Sequence, residues 1–146
     1  MKRKGVGVED TPFMVLAAVA VIMMVTWIGI NVMATFVEGN ERQTAIQAAT
    51  DIYKLAKLAS LGYDGSSERI SVSVPEGYAI EIDGRISVLS DAQFANGTLM
   101  NSTLLSEPLV IRGVEVSAEP PLLPPGDHDL LLTYHAEDGK VVVYRK

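Results

Sequence analysis

Cysteine is absent from the 146 residues of this chain, so thiol catalysis, disulfide bonds and cysteine-ligated metal sites are excluded. Histidine occurs only as His128 and His135, and neither belongs to a His-x-x-His or His-Glu-x-x-His spacing of the kind that binds metal. Asp127 and Asp129 flank His128, which we interpret as a turn that leads into a strand. No Gly-x-Ser-x-Gly motif supplies a nucleophile. The sequence therefore predicts no catalytic residue, no metal and no cofactor, and an enzyme is not expected.

Positive charge is scarce in most of the chain. The formal net charge is -6 at pH 7 although three of the first four residues are basic, so the remainder is more acidic than the total indicates. A protein that binds nucleic acid needs a basic stripe for the phosphates. We therefore expect no nucleic-acid partner.

Charge of either sign is absent from residues 13–37, which are predominantly apolar. An apolar helix needs about 20 residues to cross the ~30 Å hydrocarbon layer of a membrane. A cleaved secretory signal has a shorter apolar core of ~7–15 residues, and the rest of this chain is too small to bury a helix that is apolar all round. Residues 13–37 are therefore predicted to form a transmembrane segment.

The charges on either side of this segment predict its orientation. Three basic residues at positions 2–4 precede it, whereas Glu38 and Glu41 follow it together with Arg42. The positive-inside rule then keeps the N-terminus in the cytoplasm. We expect a single-pass membrane protein whose residues after the segment are extracytoplasmic.

Helical periodicity continues beyond the apolar segment. No proline interrupts residues 13–61, and only Gly39 and Asn40 weaken the predicted helix before Gly62 ends it. The second half of this helix is amphipathic, so it is expected to pack on something outside the membrane. Its apolar positions follow the i, i+3, i+4, i+7 spacing and are Ala45, Ile46, Ala49, Ile52, Tyr53, Leu55, Ala56, Leu58 and Ala59.

A period of two replaces the helical period after the helix. Apolar and polar residues alternate in short runs, which is typical of strands with one buried face, and Asp83-Gly84 predicts a tight hairpin turn. Residues 90–106 are expected to be mostly loop around one short edge strand, and the proline-rich residues 119–126 to cross the sheet without regular structure. The predicted strands are residues 70–74, 78–82, 86–88, 98–100, 109–118, 130–134 and 140–144.

These patterns predict an α+β protein. A long N-terminal helix, first transmembrane and then amphipathic, is followed by a small antiparallel β-sandwich-like domain or curled sheet. Two positions in the expected extracytoplasmic domain, Asn96 and Asn101, each begin an Asn-x-Thr sequon without proline. One sequon often arises by chance, whereas two in so short a stretch favour modification. Asn96 and Asn101 are therefore candidate N-glycosylation sites.

The most specific motif precedes the apolar segment. A short basic leader ends at Lys4 and Gly5, and two acids, Glu9 and Asp10, lie just before the predicted helix. Glycine has no side chain, so the backbone beside it fits into the active site of a peptidase. A carboxylate at the head of an apolar helix is costly in a membrane or a packed bundle unless it gains a cationic partner. In these features, and in the plan of a helix followed by a β domain, the chain resembles archaeal type IV pilin-like proteins with a class III signal peptide.

The resemblance implies roles for the residues around the leader. In that family a prepilin peptidase cuts after a basic-Gly pair, which implies cleavage after Lys4-Gly5 with Val6 as the first mature residue. The fifth mature residue is commonly glutamate and meets the amino terminus of a neighbouring subunit. Cleavage after Gly5 makes Asp10 the fifth residue, whereas cleavage before Gly5 makes Glu9 the fifth. The assembly role therefore falls on Glu9 or Asp10.

The resemblance also implies a function. The expected protein is a structural subunit, a major or minor pilin, of a type IV pilus-like filament on the cell surface. Its partners are then the membrane, other copies of itself or related pilins, and the prepilin peptidase. The alternative is a single-pass anchored β domain that binds a ligand or serves as a scaffold. The expected organisation is a leader at residues 1–5, the helix at residues 6–61 and an extracytoplasmic β domain at residues 62–146.

Overall fold

The computed structural model of this chain describes residues 11–146. The predicted cleavage residues Lys4, Gly5 and Val6 and the acids Glu9 and Asp10 lie outside the described residues. Within the described part, one helix precedes seven strands, which confirms the predicted α+β class. The elements are α1 (Thr11–Ser60), β1 (Ser67–Val74), β2 (Ala79–Asp83), β3 (Ile86–Ala95), β4 (Thr98–Leu104), β5 (Glu115–Leu123), β6 (Gly126–His135) and β7 (Lys140–Arg145).

Helix α1 is 50 residues long. Pro12 lies in its first turn, where a missing N–H leaves no helical hydrogen bond unmade. The predicted weak joint at Gly39 and Asn40 stays helical. The helix ends before Gly62, as predicted, and a Cβ atom at Gly62 would come within 2.5 Å of Ser66 Oγ. This close approach explains why glycine occupies the helix stop.

Two compact units divide the chain within α1. The first ends at Gly39, and the second comprises Asn40–Lys146. The second unit therefore contains the amphipathic end of α1 together with all seven described strands.

The seven strands form one sheet with the order β1-β6-β7-β5-β2-β3-β4. Neighbouring strands are antiparallel except β5 and β7, which run parallel from Glu115 opposite Lys140. The predicted turn at Asp83-Gly84 joins β2 to β3, and the predicted last hairpin joins β6 to β7. Strands β1 and β4 are the edges of the sheet. β7 is the last described strand along the chain, but it lies inside the sheet between β6 and β5.

The amphipathic end of α1 packs on one face of this sheet. Ala45, Ala49, Ile52 and Ala56 are at most 1% exposed and share one hydrophobic core with residues of the strands. The strands contribute every second residue to this core, as alternation predicts, and the contributors include Val72, Val74, Ile80, Ile82, Ile86, Val88, Val116, Ala118, Leu130, Leu132, Val141 and Val143.

The buried stripe of α1 is narrower than the predicted apolar face. Leu58 is 53% exposed, so its predicted place in the core is wrong, and Ile46, Tyr53 and Leu55 are only half-buried. Ala48, which the predicted set omits, is buried. A helix that lies on a flat layer covers only the centre of its apolar stripe, so residues at the flanks keep part of their exposure.

The prediction of a mostly irregular stretch at residues 90–106 is wrong. β3 extends to Ala95 and β4 spans Thr98–Leu104, so a hairpin occupies most of the interval. Its outer part is exposed or half-buried on both faces and mainly polar. β4 therefore lacks the apolar alternation that identifies a strand, whereas β3 continues beyond the predicted residues 86–88. The predicted edge position of β4 is confirmed.

The proline-rich stretch is also more regular than predicted. β5 runs through Pro120 and Pro121. Its pairing with β7 ends at Glu119, and its pairing with β2 includes Leu122 and Leu123. The two prolines lie beyond the end of the β7 pairing and at the register shift of the β2 pairing, between Ser117 and Leu122, where neither has to donate an N–H to a neighbouring strand.

The predicted strand at residues 109–118 is correspondingly shorter. Leu109 forms an isolated bridge with Ile86, and regular pairing begins only at Glu115. Between them Gly113 has φ +75°, and the Val114 N–H donates to Ile111 O across a turn. The left-handed backbone at Gly113 interrupts what the apolar alternation predicts as one strand.

Candidate assembly surface

The first part of α1 exposes an almost wholly apolar surface. The exposed fraction is 76% for Phe13, 69% for Trp27 and 78% for Phe36. Residues 12–37 contain no Asp, Glu, Lys or Arg. The helix is long and apolar enough to cross a membrane, and none of its most apolar window is buried in the described structure.

Water is an unfavourable surrounding for such a surface. Burying one large aliphatic or aromatic side chain is worth roughly 1.5–3 kcal/mol. Exposed apolar patches on soluble monomers rarely exceed a few hundred Å², whereas residues 12–37 present apolar side chains on every side for about seven turns. This surface therefore requires lipid or other protein surfaces around it.

Thr26, Asn31 and Thr35 place hydroxyl and amide groups among the apolar residues of this surface. Thr26 Oγ1 donates to Ile22 O at 2.8 Å, and Thr35 Oγ1 donates to Asn31 O at 3.0 Å. Asn31 Nδ2 donates to Trp27 O at 2.8 Å. The threonine hydroxyls thus use their only proton within the helix. Asn31 is not among the residues predicted to have a role, and an amide within an uncharged apolar run is the signal that identifies it.

The two candidate glycosylation sites lie on the β3–β4 hairpin. Asn96 and Gly97 form its turn with φ values of +51° and +76°, and Ala95 pairs with Thr98 across it. An Asn-Gly pair suits a two-residue turn in which both residues have positive φ. Asn96 and Asn101 are both exposed. Their side chains are therefore accessible in the folded domain.

His128 and Asp129 of the β domain have structural contacts. His128 is only 8% exposed, and its Nε2 lies 2.6 Å from Pro124 O, to which a ring N–H can donate. Ser71 Oγ donates to Asp129 Oδ1. Over residues 11–146, no three His, Asp or Glu side chains come together as a metal site.

The sheet has a groove of about 300 Å³ beside β1 and β6, lined by Arg69, Ser71, Asp129 and Lys146 among others. Ser71 is bonded to Asp129, and the backbone N–H of Lys146 donates to Asp129 O at 3.0 Å. These contacts serve to hold the strand ends together.

No family model, curated protein or solved structure matches this chain.

Proposed function

We propose that this chain is a structural subunit of an archaeal type IV pilus-like surface filament, and that copies assemble through its apolar helix. The observation that carries the proposal is the surface of residues 12–37, whose large apolar side chains are exposed without any charge among them. Such a surface suits lipid before assembly and the same helix of other copies afterwards. Major and minor subunits both fit this description.

The composition of the second unit supports the proposal. Residues 45–56 of α1 supply part of the core of the β domain, so the second half of the helix belongs to that domain. A filament subunit has to carry a domain on the helix through which it assembles, and here the helix with the apolar surface also contributes to the domain core.

Removal of the leader is the step that commits the chain to assembly in this proposal. A prepilin peptidase cuts after Gly5, and the new amino group of Val6 pairs with Glu9 or Asp10 of a neighbouring copy. The pairing neutralises an amine and a carboxylate within an apolar bundle. Leaving one partner of such a pair buried alone costs about 3–5 kcal/mol.

Mass spectrometry of the mature N-terminus, in cells with an active prepilin peptidase, tests the proposal. We expect the chain in the membrane fraction and in sheared surface filaments to begin at Val6, or at Gly5 if the bond before it is cut. A chain that keeps residues 1–5 in such cells contradicts the filament role. That result favours the anchored β domain that binds a ligand or serves as a scaffold.

Two glycine variants provide a matched control. Gly5→Val is expected to block cleavage, because a branched side chain replaces the small residue at the cut, whereas Gly7→Val is expected to be processed normally. Both variants keep residues 13–37, so both should stay in the membrane after extraction with alkaline carbonate. Equal processing of the two variants would show that the peptidase does not recognise Lys4-Gly5.

A further inference from the structure

The amide of Asn31 is incompletely bonded within an apolar helix. Its Nδ2 donates to Trp27 O, and among the residues that the structure describes no donor reaches its Oδ1. The side chain is exposed on α1. A primary amide offers two N–H groups and one carbonyl acceptor, so both an N–H and the carbonyl remain available.

The depth of Asn31 makes this incomplete bonding important. At about 1.5 Å per residue, Asn31 lies about 9 Å beyond Val25, the middle of residues 13–37. Half of the hydrocarbon layer is about 15 Å thick. In the orientation proposed above, the amide is therefore surrounded by lipid chains, which provide no hydrogen bond, and a polar group left in that condition is costly.

We propose that Asn31 hydrogen-bonds to Asn31 of a second copy of this chain, side by side in the bilayer before the filament forms. This inference rests on the proposed membrane anchoring. Copies that insert in one orientation are parallel, so their Asn31 side chains lie at the same depth. An amide is self-complementary because the carbonyl of one copy accepts the N–H of the other. The second copy thus provides both the acceptor and the donor that lipid lacks.

The helical repeat identifies which residues accompany Asn31 at this contact. At 3.6 residues per turn, Thr35 lies about 40° from Asn31 around the helix, whereas Met33 lies on nearly the opposite side. The face of Asn31 carries the small or short side chains of Ala17, Ala20 and Thr35 together with the larger Met24 and Trp27, so a second helix approaches most closely at the small residues. A shared amide in such a contact also selects one register, as a single asparagine does in a coiled coil.

Energy transfer between labelled copies of the full chain in phosphatidylcholine vesicles tests the proposal. The natural lack of cysteine lets one added cysteine, Glu137→Cys in the exposed loop before β7, carry the dyes. Asn31→Leu is expected to raise the dissociation constant of the pair, expressed as a mole fraction in lipid, by about 3- to 30-fold. Asn31→Gln, which keeps the amide, should restore part of the association.

Thr26→Val is the matched control for this measurement. It also replaces a polar side chain of the apolar segment, but the Thr26 hydroxyl is already bonded to Ile22 O of its own helix. We expect the Thr26→Val variant to associate as strongly as the unaltered chain. Association of Asn31→Leu at the same strength as the Thr26→Val control would overturn the proposal.

Disulfide cross-linking provides a second measurement that needs no dye. A single cysteine in place of Thr35 is expected to cross-link in vesicles, whereas one in place of Met33 is not. Equal cross-linking at both positions would show that no particular helix face is involved, and would also overturn the proposal. If alkaline carbonate extracts the chain from the membrane, both the proposed membrane anchoring and this inference are wrong. If the chain inserts and loses its leader, but Asn31→Leu leaves its association unchanged, this inference alone is wrong.

Discussion

Glu9 and Asp10 are the residues on which the assembly proposal depends most directly. They are adjacent, so cleavage before or after Gly5 decides which of them becomes the fifth mature residue. In the proposal, the amino terminus of a neighbouring copy pairs with the acid that becomes the fifth mature residue.

Replacing these acids by alanine should separate assembly from insertion. With cleavage after Gly5, Asp10→Ala is expected to abolish filaments while Glu9→Ala has little effect, because only one carboxylate pairs with the amine, at a cost of about 3–5 kcal/mol when it is lost. Electron microscopy of sheared filaments and carbonate extraction of membranes provide the two readouts. Glu38→Ala, at the other end of the apolar stretch, serves as the control. Normal filaments from the double variant would show that the acids are incidental.

Ser87 illustrates a residue whose environment the sequence does not reveal. It is 2% exposed, and within the described residues its Oγ has no hydrogen-bond partner. Leu89, two residues further along β3, and its cross-strand partner Ala79 lie on the same face of the sheet as Ser87 and are also buried. Alternation predicts a solvent-facing serine here, whereas the start of β3 is covered on both faces.

The contact between α1 and the sheet is the element-scale feature that stabilises the β domain. Ile52 is fully buried and is the bulky side chain among the buried alanines of the helix. Loss of its side chain leaves a cavity between two rigid layers, which relax only partly.

Ile52→Ala should therefore destabilise the domain strongly. We expect the free energy of unfolding to fall by about 2–5 kcal/mol, measured by urea unfolding of the full chain in detergent with pulse proteolysis of the β domain. Lys54→Ala, two residues on and exposed, should change it by less than about 0.5 kcal/mol. Similar urea midpoints for the two variants would mean that the helix does not contribute to the domain core.

Elements with strong periodicity could be predicted from the sequence, and those set by pairing could not. The helix, its end at Gly62 and the β2–β3 and β6–β7 hairpins follow from local patterns. The parallel pairing of β5 with β7 and the passage of β5 through Pro120 depend on which strands become neighbours, and no local pattern encodes that choice. Of the candidate site, the apolar surface was predictable from length and charge. Asn31 does not stand out in this prediction, because an uncharged amide does not break an apolar stretch that is defined by its lack of charge.

At the scale of the whole molecule, the proposed orientation exports the domain that carries both sequons. The β3–β4 hairpin presents Asn96 and Asn101 away from the core, and β4 is an edge strand. Bulky polar groups at an edge hinder pairing with strands of other molecules. Glycans on this hairpin would therefore indicate that the domain is exported, and they would also protect the edge strand β4 from pairing with other molecules.

Intact-protein mass spectrometry should detect these glycans. We expect an added mass on the membrane form that decreases in Asn96→Gln and in Asn101→Gln and disappears when both are combined. Thr133→Ala, which alters a threonine outside any sequon, should keep the full added mass. An unmodified chain whose β domain is digested by protease added to intact cells would contradict glycosylation but not export.

The central position of β7 has a consequence for the order of folding. Synthesis proceeds from the N-terminus, so the strands that flank β7 are made before it. Until β7 is present, β1 with β6 on one side, and β5, β2, β3 and β4 on the other, have no strand to join them. An unpaired strand edge is a site at which misassembly can begin. We therefore expect the sheet to close around Lys140–Arg145 late in folding, and a chain interrupted before this strand to leave two unjoined groups of strands.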